Sequence, residues 1–178
     1  MERHHNPEPT PKRLGETRVH PICSKRMPTL VLIRHGESRA NSRGVVEGGA
    51  GDSPRSGVGV EQAEKVASHL AEAYRDVEAV YSSPLRRAVG TAIPIARAFG
   101  KSILTRHDLM EGKIGDWNYQ PYSALDWSRL DADPHFKDHG GESPFELASR
   151  SARALREIRA SHEQGAIAVV AHGATIAH

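Results

Sequence analysis

Residues 29–33, Thr-Leu-Val-Leu-Ile, form an apolar, β-branched run that stops at Arg34-His35-Gly36, and this step constrains the fold more than any other stretch. The run has the length and composition of a strand buried on both faces of a parallel sheet, so Arg34, His35 and Gly36 fall where that strand leaves the sheet. Residues 167–171 form a second such run and end the same way, at His172-Gly173.

The chain between them alternates strand-like and helix-like segments. Val60, Ala63, Val66, Ala67, Leu70 and Tyr74 recur at spacings of three and four and predict a helix over 60–74. Residues 77–81 read as a strand. Ser83 then stands as an N-cap before Pro84 at a first helical position, which predicts a helix over 85–99, kinked or split at Pro94. A short strand follows at 103–105. Residues 106–143 read as loop with one helix near 122–130, and 144–161 as an amphipathic helix. The pattern is α/β with parallel strands.

With 178 residues, 38% hydrophobic and 26% charged, the chain can bury one core, and a single domain is expected. No apolar stretch reaches the roughly 20 residues a membrane helix needs, and no apolar segment follows the basic N-terminus as a signal peptide requires, so a cytoplasmic protein without membrane association is expected. Cys23 is the only cysteine, which excludes an intramolecular disulfide and a cysteine-based zinc site. Residues 1–26 hold six Lys or Arg against three Glu, a net +3, and this leaves −1 of the overall +2 for residues 27–178. That proline-containing segment lacks aromatics and periodicity and reads as a disordered basic tail, with the folded domain, and the start of translation with it, expected at Met27. About six basic residues without aromatics support a nucleic-acid arm only weakly, and no nucleic-acid partner is expected.

Ligands of open parallel sheets sit beyond the carboxyl ends of the strands. Arg34 offers a planar fork for phosphate oxygens, His35 an imidazole that is nucleophilic when neutral, and Gly36 room for a turn or a ligand. His172-Gly173 leaves the sheet at the same edge, and Arg86 and Arg87 follow the 77–81 strand at a helix start, where free N–H groups also favour an anion. Together these residues point to a phosphate site with a phosphohistidine.

Several spaced motifs, in order from Leu30 to Ala177, are similar to those of the histidine phosphatase superfamily, which includes the cofactor-dependent phosphoglycerate mutases. They are Leu-Ile-Arg-His-Gly-Glu-Ser at 32–38 with Asn41, Asp52-Ser53-Pro54, Gln62-Ala63, Ser82-Ser83-Pro84-Leu85-Arg86-Arg87-Ala88 with Thr91, Leu109 and Glu111 with Gly115 and Trp117, Gly140-Gly141-Glu142-Ser143, and Val169-Val170-Ala171-His172-Gly173. The resemblance implies a three-layer sandwich with a mostly parallel central sheet and helices on both faces. It implies that His35 is the phosphorylated nucleophile, that Arg34, Arg87 and His172 clamp phosphate, that Asn41 and Gly173 add phosphate contacts, and that Glu111 is the proton donor and later base. Arg87 matches better than Arg86 because it directly precedes Ala88 and Thr91.

Arginines and an imidazolium can stabilise the charge of a loose phosphoryl-transfer transition state, so neither metal nor cofactor is expected. His35 is expected neutral, and Glu111 protonated at the moment it meets the leaving alkoxide. The short segment from Leu109 to Gly115 differs from the mutase branch and favours water as the acceptor, hence a phosphomonoesterase acting on a small phosphorylated metabolite. Phosphoglycerate mutase-type transfer is the alternative, and a phosphoprotein substrate and a homodimer stay open. The family continues beyond His172 through a further helix and strand where this chain stops at His178, so a C-terminally shortened domain is expected, and an inactive phosphate-binding relative is a second alternative. His135 and His139 read as a solvated loop pair rather than metal ligands, Trp117 and Trp127 as packing residues, and Arg55 as a surface arginine or a contact to an acidic substrate. Ala40, Asn118 and Tyr119, where the family often has Trp, Glu and Gly, are expected to alter substrate shape more than chemistry.

Overall fold

The structure, a computed structural model, describes residues 27–177. The expectations for residues 1–26, Cys23 among them, lie outside the described residues. The strands are β1 (Thr29–Arg34), β2 (Val77–Ser82), β3 (Ile103–Thr105) and β4 (Ala166–Ala171), and the helices α1 (Gly57–Ala73), α2 (Arg86–Phe99), α3 (Ser128–Ala132), α4 (Pro144–Ala160) and α5 (Gly173–Ala177). The sheet order is β1-β4-β2-β3 and every pairing is parallel. Parallel neighbours need crossover connections, and the long helices supply them.

β4 is the centre of the molecule, with all six residues buried. Its alternation sends Ala166, Ala168 and Val170 into a core with Ala67 and Leu70 of α1 and Ala88, Ala92 and Ile95 of α2. Ile167, Val169 and Ala171 enter a second core with Ala154 and Ile158 of α4. This two-sided burial makes the expected three-layer sandwich. β1 departs from the expectation, since Ile33 alone of its six residues is buried and Leu32 is 38% exposed. The reason is topological: β1 is an edge strand, so its apolar composition is matched by helices less fully than that of β4.

The helices begin where local chemistry starts them. Ser56 Oγ accepts the Gly59 N–H and opens α1 three residues before the predicted start. That phase leaves Val60 exposed and turns Gly59, Ala63, Ala67 and Leu70 inward. α2 starts after Leu85, not at Pro84, and runs unbroken through Pro94. The single helix expected near 122–130 is replaced by a 3₁₀ turn at Tyr122–Ala124 and by α3, because Asp126 takes both the N–H and the hydroxyl of Ser128. α4 matches the expectation, with Pro144 in its first turn and reciprocal bonds between Ser143 and Glu146 closing a capping box. Among the described residues no helix is long and apolar enough to cross a membrane.

Candidate active site

The backbone places the two His-Gly steps side by side. The His35 N–H donates to the Ala171 carbonyl at 3.0 Å, and the His35 and His172 rings stand 5.1 Å apart between centroids at 59°. His35 Nδ1 lies 2.7 Å from the Gly36 carbonyl. A carbonyl only accepts, so Nδ1 carries the ring proton and Nε2 the lone pair. Burial, above all, lowers the His35 pKa to about 4; the Gly36 carbonyl opposes this and the charges of Arg87 and Arg34 add to it. The neutral, nucleophilic ring is therefore the resting form. Gly36 is required for a reason other than ligand access: a Cβ there would strike the Gly59 carbonyl in the first turn of α1. Its N–H donates to Thr91 Oγ1 at 3.0 Å.

His172 is fully buried, and its Nε2 lies 2.8 Å from Ser83 Oγ. Ser83 is thus not the cap of α2; its oxygen also accepts the Leu85 N–H at 3.3 Å. His172 Nδ1 is buried with no hydrogen-bond partner. Burial first, then Arg87, His35, Arg150 and Arg34, push the His172 pKa far down, so the ring is neutral where an imidazolium was expected. For a ring this deeply buried, three guanidinium charges and a second imidazole make protonation costly.

Glu111 lies in the loop at 110–114, against the start of α5. Its Oε1 accepts the Gly112 N–H at 3.0 Å and its Oε2 the Ala174 N–H at 3.4 Å, with Thr175 Oγ1 3.5 Å from Oε1. The Thr175 hydroxyl donates to the Met110 carbonyl at 2.9 Å, fastening α5 to that loop. Arg150 of α4 grips the same loop through the carbonyls of Asp108 and Met110 at 2.8 and 3.0 Å, and is itself held two-pronged by Glu142 at 2.9 and 2.7 Å.

The remaining expected ligands divide into two groups. Arg34, His35 and Asn41 line one cavity of about 320 Å³ with Glu37 and Gln62. Gly173, at the first position of α5, leaves its open side to Arg34, whose Cζ would be 3.6 Å from a Cβ there. The Asn41 Oδ1 accepts the Ser38 N–H at 3.1 Å, which leaves its Nδ2 as the donor end. Arg87 is buried away from that cavity, and its donors go to Glu47 and to loop carbonyls, although its charge acts on both histidines.

Other candidates resolve as packing. Arg55 lies over Gly90 and feels Glu64, outside the cavity. His139 is buried rather than solvated: its Nδ1 accepts the Gly141 N–H at 2.9 Å and its ring touches Trp117 and Phe136. His135 lies against Phe145, and Trp117 against Trp127. Among the described residues no group of three or more His, Cys, Asp or Glu stands ready for a metal ion. Ser83 and Thr91 had a signal in the motif around Arg87; Arg150 and Glu47 had none, because their roles depend on loops that converge only in three dimensions.

The two His-Gly steps stand at the carboxyl edge of a doubly covered parallel sheet, and residues 30–178 match the model of the histidine phosphatase superfamily, branch 1. The chain belongs to that superfamily. It is 36% identical over 159 residues to a metal-independent phosphoserine phosphatase of Arabidopsis thaliana, covering 83% of this chain and 65% of that protein. It is 31% identical over 165 residues to a glucosyl-3-phosphoglycerate phosphatase of Mycolicibacterium vanbaalenii, covering 85% and 72%. The solved phosphoserine phosphatase of Entamoeba histolytica, in complex with 3-phosphoglyceric acid, aligns with a TM-score of 0.73 at 29% identity, covering 84% of this chain and 76% of that one.

Proposed function

We propose that the protein is a phosphomonoester hydrolase that works through a phosphohistidine on His35. The observation that carries this reading is the His35 ring itself, neutral, with Nδ1–H spent on Gly36 and Nε2 left as the lone-pair atom, 5.1 Å from a second imidazole. Nε2 attacks phosphorus, the bond to the leaving alkoxide breaks, and Glu111 gives that oxygen its proton. Water then attacks the phosphohistidine, Glu111 takes the proton, and inorganic phosphate leaves.

Arg34, Asn41, Arg87, His172 and Gly173 hold the phosphoryl oxygens in this reading. In this reading the Ser83 hydroxyl, whose oxygen accepts from Leu85, donates to His172 Nε2, and the His172 proton sits on Nδ1 as a buried donor toward a phosphoryl oxygen. The substrates are small phosphorylated metabolites, with phosphoserine and glucosyl-3-phosphoglycerate, named for the relatives, the first to try. Turnover of p-nitrophenyl phosphate, undiminished by EDTA and lost in His35→Ala, is the expected result, with an alkali-stable, acid-labile phosphoryl adduct trapped on His35. Activity that survives His35→Ala, or requires a metal, contradicts the proposal.

A further inference from the structure

Arg87 and Glu47 form a buried pair, with side chains 2% and 3% exposed and Nη1 3.3 Å from Oε2. Nη1 also meets the Gly51 carbonyl at 2.9 Å, and Nη2 lies 3.4 Å from the carbonyls of both Glu47 and Gly48. Glu47 is anchored in turn by Ser53, whose N–H reaches Oε1 at 2.8 Å and whose hydroxyl reaches Oε2 at 2.6 Å. The strap from Glu47 to Gly51 is made to lie close. A Cβ on Gly48 would meet the Gly112 carbonyl at 2.6 Å, one on Gly49 the Glu111 carbonyl at 2.5 Å, and one on Gly51 the Glu47 side chain.

The far side of the strap is tied to the turn at 118–119. Asn118 Oδ1 accepts the Gly48 N–H at 3.0 Å, and the Tyr119 N–H donates to the Val46 carbonyl at 2.8 Å. Tyr119 makes this contact at φ 65°, a left-handed conformation that strains a residue with a side chain. Two residues at positions with unusual side chains and one strained backbone thus hold a carboxylate against an arginine of the clamp.

We infer that Glu47 is a specificity-determining residue of this site, an internal carboxylate that yields Arg87 only to an anion stronger than itself. A phosphomonoester dianion, shared with Arg34 and with the His172 donor, outcompetes it. A singly charged carboxylate exchanges like for like and gains nothing, so a carboxylate group is not held in the phosphoryl position at Arg87. Glu47 released from the pair regains its hydration, which makes the exchange reversible. The inference rests on the reading of Arg87 as a phosphate ligand.

Calorimetric titration of the full chain with orthophosphate, and separately with acetate as competitor, tests it. Glu47→Gln keeps the size of the side chain and removes its charge; the expected result is phosphate binding tightened about tenfold, with acetate now competing. Ser53→Ala removes the hydroxyl that anchors Glu47 without touching Arg87 and shifts phosphate affinity in the same direction by a smaller factor, and it decides the matter if the first variant does not fold. Phosphate affinity unchanged or weakened in folded Glu47→Gln overturns the inference. Arg87→Ala separates the two layers: if it binds phosphate like the parent, the clamp reading itself fails, whereas loss of phosphate binding there with no gain in Glu47→Gln removes the role of Glu47 alone.

Discussion

His35 illustrates how one ring is prepared by its surroundings. Burial lowers its pKa from 6.5 to about 4, so between those values the unfolded chain takes up a proton that the folded chain refuses. Stability is therefore full above pH 6.5 and falls as the pH drops toward 4. Thermal unfolding followed at pH 7 and pH 5 is expected to show a lower Tm at pH 5, and His35→Asn is expected to lessen that drop. The acid limb of turnover is expected near pH 4 rather than 6.5, because His35 keeps its lone pair down to that range. Ser83→Ala leaves His172 Nε2 buried and unpaired, a loss of about 1–3 kcal/mol. Activity is expected to fall about tenfold or more, with Ser83→Thr restoring part of it, as kcat measured across pH will show. Arg34, His35 and His172 were legible in the sequence because each stands at a strand exit; the neutrality of His172 was not, since it arises from burial beneath elements more than 80 residues away along the chain.

Elements were legible where their chemistry is local. Ser143, Pro144 and Glu146 start α4 from adjacent residues alone, and Ser143→Ala is expected to cost about 1 kcal/mol in a urea titration. Ser83 had the same local signature at α2 and was spent elsewhere, because a histidine 89 positions later claims its hydroxyl. β1 and β4 have the same apolar character, and nothing in either run says that one will be central and the other an edge. The turn at Tyr119 is a further case: residues on either side do not announce a left-handed position, yet the bond to Val46 fixes one there. Tyr119→Gly relieves that strain and is expected to raise stability by about 1 kcal/mol, readable as a higher Tm.

At the scale of the molecule, the two cores on either face of β4 hold the site's elements in place. Ile158 is 1% exposed in the core shared by α4 and β4, and Ile158→Ala is expected to cost about 2–5 kcal/mol in denaturant unfolding. The register of β1 on β4 has a consequence in time as well as in space. Thr29 pairs with Ala166 and Arg34 with Ala171, so the first described strand finds its neighbour only in the last. On a ribosome releasing about 5–20 residues per second, β1 must wait several seconds, with its hydrogen-bonding edge and its apolar side chains unclaimed, until β4 emerges. A sheet closed by such distant partners belongs to the slow end of the range set by contact order. His35 gains its companion imidazole at that same late moment, so the nascent chain holds no assembled site until β4 has been made.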